Sequence, residues 1–258
     1  MTRMRFIDTH THNYDEAFAG DEEAVIGRAR MAGVDILIQP DVDSRERDAM
    51  FAITERHPGV LYPMLGLYPG SVDKDWKKEF DLMLSYRDRK PVAIGEIGLD
   101  YHYGAEFAEE QKEAFRLQLE LAAEMGLPVN IHLREATEDF FSIMDDCAHL
   151  HLKGALHAFS GSYETFRRVL KYGEWYVGIG GVVTFKKASL AETVRKIPLE
   201  NIILETDCPY LTPVPYRGTR NESMHIPVIA AKIAEIKGVS LEEVAEKTTA
   251  NAERLFNL

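Results

Sequence analysis

Two histidines one residue apart, His10 and His12, follow the apolar pair Phe6-Ile7 near the start of the chain. Side chains two apart on a strand point to the same side, so Asp8, His10 and His12 are expected to share one face. Imidazole is the commonest protein ligand for borderline divalent cations, and such a pair needs only one or two more ligands to form a site. Four more residues offer matching chemistry: Glu96, His132, His157 and Asp207. Glu96 closes the apolar run Val92-Ala93-Ile94-Gly95 and Asp207 follows Ile202-Ile203-Leu204; a carboxylate in such a place is costly to bury without a cation or a donor. Four imidazoles and two carboxylates suffice for two metal ions that share a ligand. Glu96 is the expected bridge, with His10, His12 and Asp207 on one ion and His132 and His157 on the other. Paired ions of this kind sit ~3.5–4 Å apart and activate a water whose pKa falls from about 15.7 to about 7. Asp207 is the expected general base. The surplus of imidazole suits Zn, Mn, Fe or Co, and an exchangeable, half-hydrated Mg also fits.

Such a set converges only if the elements between the residues bring it together. Eight short apolar runs, at 6–9, 35–39, 61–67, 92–96, 128–132, 154–159, 176–179 and 202–206, alternate with segments of helical spacing at 22–32, 46–56, 76–87, 109–125, 136–147, 163–171 and 190–196. Several runs are almost continuously apolar, as strands covered on both faces are. The alternation predicts repeated βα units, and eight of them predict a single-domain (β/α)8 TIM barrel over 1–258, with an open doubly wound sheet as the alternative. In a barrel all six residues follow or close strands on one rim, where active sites sit. The tail from 226 to 258 predicts two or three further helices, with a break at Gly238-Val239-Ser240 and a capping box at Ser240-Leu241-Glu242-Glu243.

Composition narrows the partners. The chain of 258 residues is 45% hydrophobic and 28% charged, which fits a globular protein with a sizeable core. No run approaches the ~18 apolar residues of a membrane span. Two cysteines, Cys147 and Cys208, read as unrelated buried thiols and fit a reducing compartment; a cytoplasmic monomer with no membrane partner is expected. The net charge of −12 is opposite in sign to the usual footprint of a nucleic-acid binder, so a phosphate substrate must be attracted locally. Two dications, two carboxylates and one hydroxide sum to roughly +1 in a dry cleft, which would do so.

At these residues the sequence resembles the TatD family of metal-dependent deoxyribonucleases, within the amidohydrolase-like hydrolases. The resemblance spans essentially the whole chain. It rests on Ile7-Asp8-Thr9-His10-Thr11-His12, on 93–101 with Gly95-Glu96-Ile97-Gly98, on Leu127-Pro128-Val129-Asn130-Ile131-His132, on His157-Ala158-Phe159-Ser160-Gly161, on Gly178-Ile179-Gly180-Gly181, and most specifically on 204–213 with Glu205-Thr206-Asp207-Cys208-Pro209. It implies a TIM barrel, two divalent ions (Mg, Mn or Zn) on the six residues named, and hydrolysis of DNA phosphodiesters, including trimming of a single-stranded or end-bound substrate from its 3′ end. The chain departs from the pattern at Gly66-Leu67-Tyr68-Pro69, where the family usually has His in place of Tyr68, and at Leu133, Glu135, Ala158 and Asn221-Glu222-Ser223. None of these removes a proposed ligand.

Arg134, Arg217 and Tyr68 are the expected substrate contacts, with Arg220 a weaker candidate, because a planar guanidinium pairs with phosphate in two places at once. Tyr101 and Tyr103 could stack on a base, although ordinary packing accounts for them as well. The same metals could also serve an ester or amide hydrolase acting on a lactone, a cyclic amide or a D-aminoacyl-tRNA ester, since fold and metals do not fix the substrate. A binding protein that keeps a metal for stability is the third class. No lysine stands at a strand end where a carbamylated bridge would form, which favours a carboxylate bridge.

Overall fold

The computed structural model describes residues 3–186 and 189–258. Eight strands, β1 (Phe6–Asp8), β2 (Val34–Gln39), β3 (Leu61–Leu65), β4 (Ala93–Asp100), β5 (Val129–Arg134), β6 (Gly154–Leu156), β7 (Trp175–Ile179) and β8 (Ile202–Leu204), pair in chain order, each parallel to the next. The circle closes where the Thr9 N–H donates to the Leu204 carbonyl at 3.0 Å and Thr11 bridges to Cys208. Helices α1 (Glu22–Met31), α2 (Ser44–Arg56), α3 (Trp76–Leu84), α4 (Ala108–Met125), α5 (Thr137–Asp146), α6 (Tyr163–Val169) and α7 (Leu190–Lys196) alternate with the strands, and α8 (Ile226–Lys237) and α9 (Leu241–Phe256) complete the chain. This is the expected TIM barrel.

Local chemistry sets the boundaries. Gly126 and Gly238 end α4 and α8 in left-handed conformations, which a residue without Cβ adopts without a steric cost. The Ser240 hydroxyl accepts from the Glu243 N–H and starts α9, as the capping box requires. The tail therefore holds two α-helices, preceded by one 3-10 turn at Ser223–His225.

Two apolar layers fill the molecule. The larger lies between strands and helices; the smaller fills the barrel interior with Ile7, Ile36, Ile38, Met64, Ala93, Ala155, Tyr176 and Ile203. Ala252, Leu255 and Phe256 of α9 pack against this inner cluster and so plug one end of the barrel. The Asn251 amide fastens that plug by donating to the Leu199 and Ile202 carbonyls at 2.9 and 2.8 Å. The opposite end, where the strands finish, is left for the polar residues.

Three element ends differ from the sequence reading in ways that bear on the site. β4 runs to Asp100 rather than stopping at Glu96, because Ile97, Gly98, Leu99 and Asp100 stay in register with Ile131 to Arg134 of β5. Glu96 is thus inside its strand, not at its end. β6 stops at Leu156 rather than continuing to 159, since the chain turns at Ala158, whose φ is 43°. α3 likewise ends at Leu84, and the next turn is a separate 3-10 segment at Arg87–Arg89.

Candidate metal centre

All six expected ligands meet at the carboxyl ends of the strands. The His10 Nε2 lies 3.4 Å from Glu96 Oε2 and 3.8 Å from Asp207 Oδ1, and the His12 Nε2 lies 3.4 Å from the same Asp207 oxygen. On the other side of Glu96, Oε1 faces His132 Nδ1 at 2.7 Å and His157 Nε2 at 3.2 Å. His10 and His157 stack across the centre, with ring centroids 3.6 Å apart. Three overlapping ligand groups result, each compact enough to hold one ion: His10, His12 and Glu96; His10, His157 and Asp207; and Glu96, His132 and His157.

Barrel closure is what delivers Asp207 to this point. The Asp207 N–H donates to the His10 carbonyl at 2.9 Å and the His12 N–H to the Cys208 carbonyl at 2.9 Å, so the segments after β1 and β8 run side by side. Asp207 itself has a φ of 56°, a left-handed conformation that Asp tolerates better than most side chains. Asp8 does not join the ligands as its spacing predicts. Regular alternation ends with β1, and the Asp8 carboxylate is instead taken up by the Thr206 N–H at 3.0 Å, the Thr206 hydroxyl at 2.6 Å and the His10 N–H at 3.3 Å.

A second ring of side chains meets each imidazole at its other nitrogen. Asn130 Oδ1 takes His10 Nδ1 at 2.9 Å, and the Tyr14 oxygen takes His12 Nδ1 at 2.8 Å while its own hydroxyl donates to the Pro40 carbonyl. Asp100 Oδ2 takes His132 Nε2 at 2.8 Å, and Glu205 Oε1 lies 3.3 Å from His157 Nδ1. His10, His12 and His132 are thus hydrogen-bonded through one nitrogen and turn the other to the centre, the arrangement that a metal-binding imidazole needs, while the His157 ring has the Glu205 carboxylate beside its outer nitrogen without a hydrogen bond. Sequence reasoning assigned no role to Tyr14, Asp100, Asn130 or Glu205. The signal for Asp100 was its even spacing from Glu96 along one strand. Glu205 carries no such signal; a Cβ on Gly178 would lie 1.9 Å from Glu205 Oε2, so the glycine makes room for this buried carboxylate, a closeness that follows only from the pairing of β7 with β8.

The donors fit a divalent cation. His10 Nε2 is buried and has no hydrogen-bond partner of its own, and a group so placed is costly unless something charged or polar meets it. Burial works to raise Glu96, yet His157, His10 and His132 outweigh it and hold this carboxyl well below the usual range. Asp207 behaves alike, with burial opposed by His12, His157 and His10. The carboxylates in turn draw His12 and His132 above the ordinary imidazole value, and His157 well above it, against the effect of burial. His10 alone is lowered, by burial and by its neighbour His157. The pocket thus demands positive charge, which imidazole protons or bound dications would supply.

Above the centre is a cavity of about 650 Å³. Of the expected substrate contacts, Tyr68 and Arg134 line it. The Tyr68 hydroxyl lies 3.4 Å from Asp100 Oδ2, and its ring meets His132 edge-on. The Arg134 guanidinium lies over the Tyr103 ring at 5.6 Å. Arg217 is not among the residues described as lining the cavity, and its guanidinium stacks on Phe185 at 4.1 Å. Arg220 is engaged by Asp21 and Glu222, at 2.7 and 2.8 Å. Tyr101 donates to Asp139 at 2.7 Å and is not among the described residues that line the cavity.

Comparison with known proteins agrees with this geometry. A family model described as "TatD related DNase" matches residues 7–257. The chain is 39% identical to the Bacillus subtilis protein described as uncharacterized metal-dependent hydrolase YabD, over 97% of this chain and 98% of that one. It is 35% identical to the Erwinia tasmaniensis protein described as 3′-5′ ssDNA/RNA exonuclease TatD, with 93% and 95% covered. Its backbone superimposes on the crystal structure of the TatD homologue YjjV from Escherichia coli with a TM-score of 0.89, at 30% identity and 99% coverage of both chains. The match spans nearly the whole chain and the barrel is shared, and the chain belongs to the TatD family of metal-dependent hydrolases.

Proposed function

We propose that the chain is a deoxyribonuclease that trims single-stranded DNA from its 3′ end, using two divalent ions held on either side of Glu96. The observation that carries this reading is the division of the Glu96 carboxylate, with one oxygen turned to His10 and the other to His132 and His157. A relative described as a 3′-5′ ssDNA/RNA exonuclease supports the choice of substrate. Bound ions would neutralise phosphate charge and lower the pKa of a water to about 7.

The remaining work falls to the chain's own residues. Asn130, Tyr14, Asp100 and Glu205 keep the four imidazoles oriented before substrate arrives, so little reorganisation remains to be done in the reaction. Asp207 is the base. Its side chain is 18% exposed against 5% for Glu96, and it is the ligand-set carboxylate that an attacking water can reach to give up a proton. Arg134 and Tyr68 stand on the cavity wall to hold the phosphate. The enzyme is read as a cytoplasmic monomer; both cysteines are free and buried, and among the described residues no helix is long and apolar enough to cross a membrane.

The test is a single-stranded oligonucleotide, labelled at one end or the other, given to the protein with Mg, Mn or Zn beside a Glu96→Ala control. Metal-dependent shortening from the 3′ end, absent in the variant, is the expected result. Intact oligonucleotide in the presence of two bound metals per chain would reject the nuclease reading in favour of an ester or amide hydrolase on the same centre.

A further inference from the structure

The cavity above the metal centre differs in charge between its two sides. Near His12 its wall carries Asp15 and Glu46, both half-buried. Burial raises the Glu46 carboxyl above its ordinary value, with nearby Asp15 adding to this and His12 opposing it. Asp15 accepts from the Tyr210 hydroxyl at 3.0 Å, and the Tyr210 ring meets His12 edge-on at 6.3 Å. The side near His132 is of another kind. There the Arg134 guanidinium acts on Asp100 and lies over Tyr103, a ring that is 84% exposed. Among the described lining residues, Arg134 is the one cation other than imidazole. Between the two sides, the buried and unpartnered His10 Nε2 faces Glu96 and Asp207 and marks the floor where a cation would sit, beneath the reacting phosphate.

We propose that this asymmetry gives the cleft a direction: Glu46 and Asp15 form the seat of a free 3′-hydroxyl terminus, and the body of the strand leaves over Arg134 and Tyr103. The inference rests on the nuclease reading above and names the end that the site accepts. A hydroxyl donates a hydrogen bond to a carboxylate, whereas a terminal phosphate brings like charge against two of them. Phosphates of the remaining strand meet Arg134 instead, and a base finds an aromatic face on Tyr103. The chemistry closes on itself. Water oxygen bonds to phosphorus, its proton passes to Asp207, and the bond from phosphorus to O3′ of the penultimate nucleotide breaks, that oxygen taking a proton from solvent. The terminal residue departs as a 5′-monophosphate, and the shortened strand again ends in the 3′-hydroxyl that the acidic wall accepts.

Three oligonucleotides of one sequence, ending in a 3′-hydroxyl, a 3′-phosphate or a 3′-hydrogen, test the proposal through kcat/KM for the first cleavage. The metal-loaded protein is expected to favour the hydroxyl end over the phosphate end by at least ~10-fold, with the 3′-hydrogen end between them. In a Glu46→Gln, Asp15→Asn double variant the ratio is expected to collapse, mainly because the phosphate-ended strand is cut faster than by the wild type, a gain that misfolding cannot produce. Binding of the same strands with a cleavage-resistant terminal phosphorothioate linkage should follow the same order without turnover. Equal cleavage and binding of hydroxyl and phosphate ends by the wild type, or an unchanged ratio in the variant, would overturn the direction while leaving the nuclease reading intact. Failure of the wild type to cut any of the three would overturn both.

Discussion

An imidazole offers one nitrogen to a cation reliably only when the other is held, and here each holding group is a single replaceable side chain. Asn130→Leu and Tyr14→Phe each remove the acceptor for one ring, His10 and His12 respectively, and each is expected to weaken metal affinity by ~10–100-fold with the fold intact. Competition against a chelator of known affinity measures this; wild-type affinity in both variants would contradict the role given to these residues. The candidate ligands were legible in the sequence because histidine and carboxylate within or just after apolar runs are unusual residues in unusual places. Their supports were not, since Asn130 inside Val129-Asn130-Ile131 and Tyr14 in a loop carry no sign of which imidazole they face until the barrel closes. Asp8 shows the limit of spacing as a guide: period two holds only while the strand lasts, and β1 ends at Asp8.

Elements position the site through their ends, where glycines and caps act. Gly98 pairs in register with His132, has a φ of 136°, and would place a Cβ 2.1 Å from the His132 carbonyl oxygen. Gly98→Ala is therefore expected to cost ~3 kcal/mol or more and to disturb the His132 side of the centre, read as a fall in denaturation midpoint together with metal content. A variant as stable as the wild type would show that β4 and β5 can part there. At the start of α2, burial works to raise Asp43, but Arg45 and Ser71 outweigh it and hold the carboxyl at about 2 against an ordinary 3.8. A carboxyl so depressed adds stability above its unfolded value, and that stability is lost as the pH falls through about 2. The full shift corresponds to ~2.4 kcal/mol, reduced to about 1 kcal/mol because Arg45 is exposed and screened. Asp43→Asn should thus melt about 2–4 °C lower at pH 7, with the gap narrowing below pH 4. A gap that is constant with pH would assign the loss to shape rather than charge. Strand order and most boundaries were readable from apolar runs and turn residues. The far half of β4 was hidden because glycine and glutamate in Gly95-Glu96-Ile97-Gly98 resemble a loop, and only pairing with β5 keeps them extended.

For the whole molecule, on the proposed nuclease reading, a net charge of −12 and one guanidinium among the described lining residues of the cleft mean that DNA would be held by the centre rather than by a basic track. Single-strand binding should lose little affinity with salt, with a slope of log K against log salt of about −1, where several phosphate contacts would give a much steeper one. Anisotropy titrations across salt concentrations decide this; a steep slope would reveal a cationic surface outside the cleft. The fold and the meeting of the six candidate residues were both accessible from the sequence because the barrel repeats one βα unit and places every strand end on the same rim, whereas the proposed direction of the cleft depends on Glu46 and Tyr103, which lie in segments with no motif. Elemental analysis of metal-loaded protein, wild type beside Glu96→Gln, tests the central claim most directly. Two ions per wild-type chain, falling to one or none in the variant, is the expected result. Two ions retained without the Glu96 carboxylate, or a wild type that never holds more than one, would contradict a centre built around that bridge.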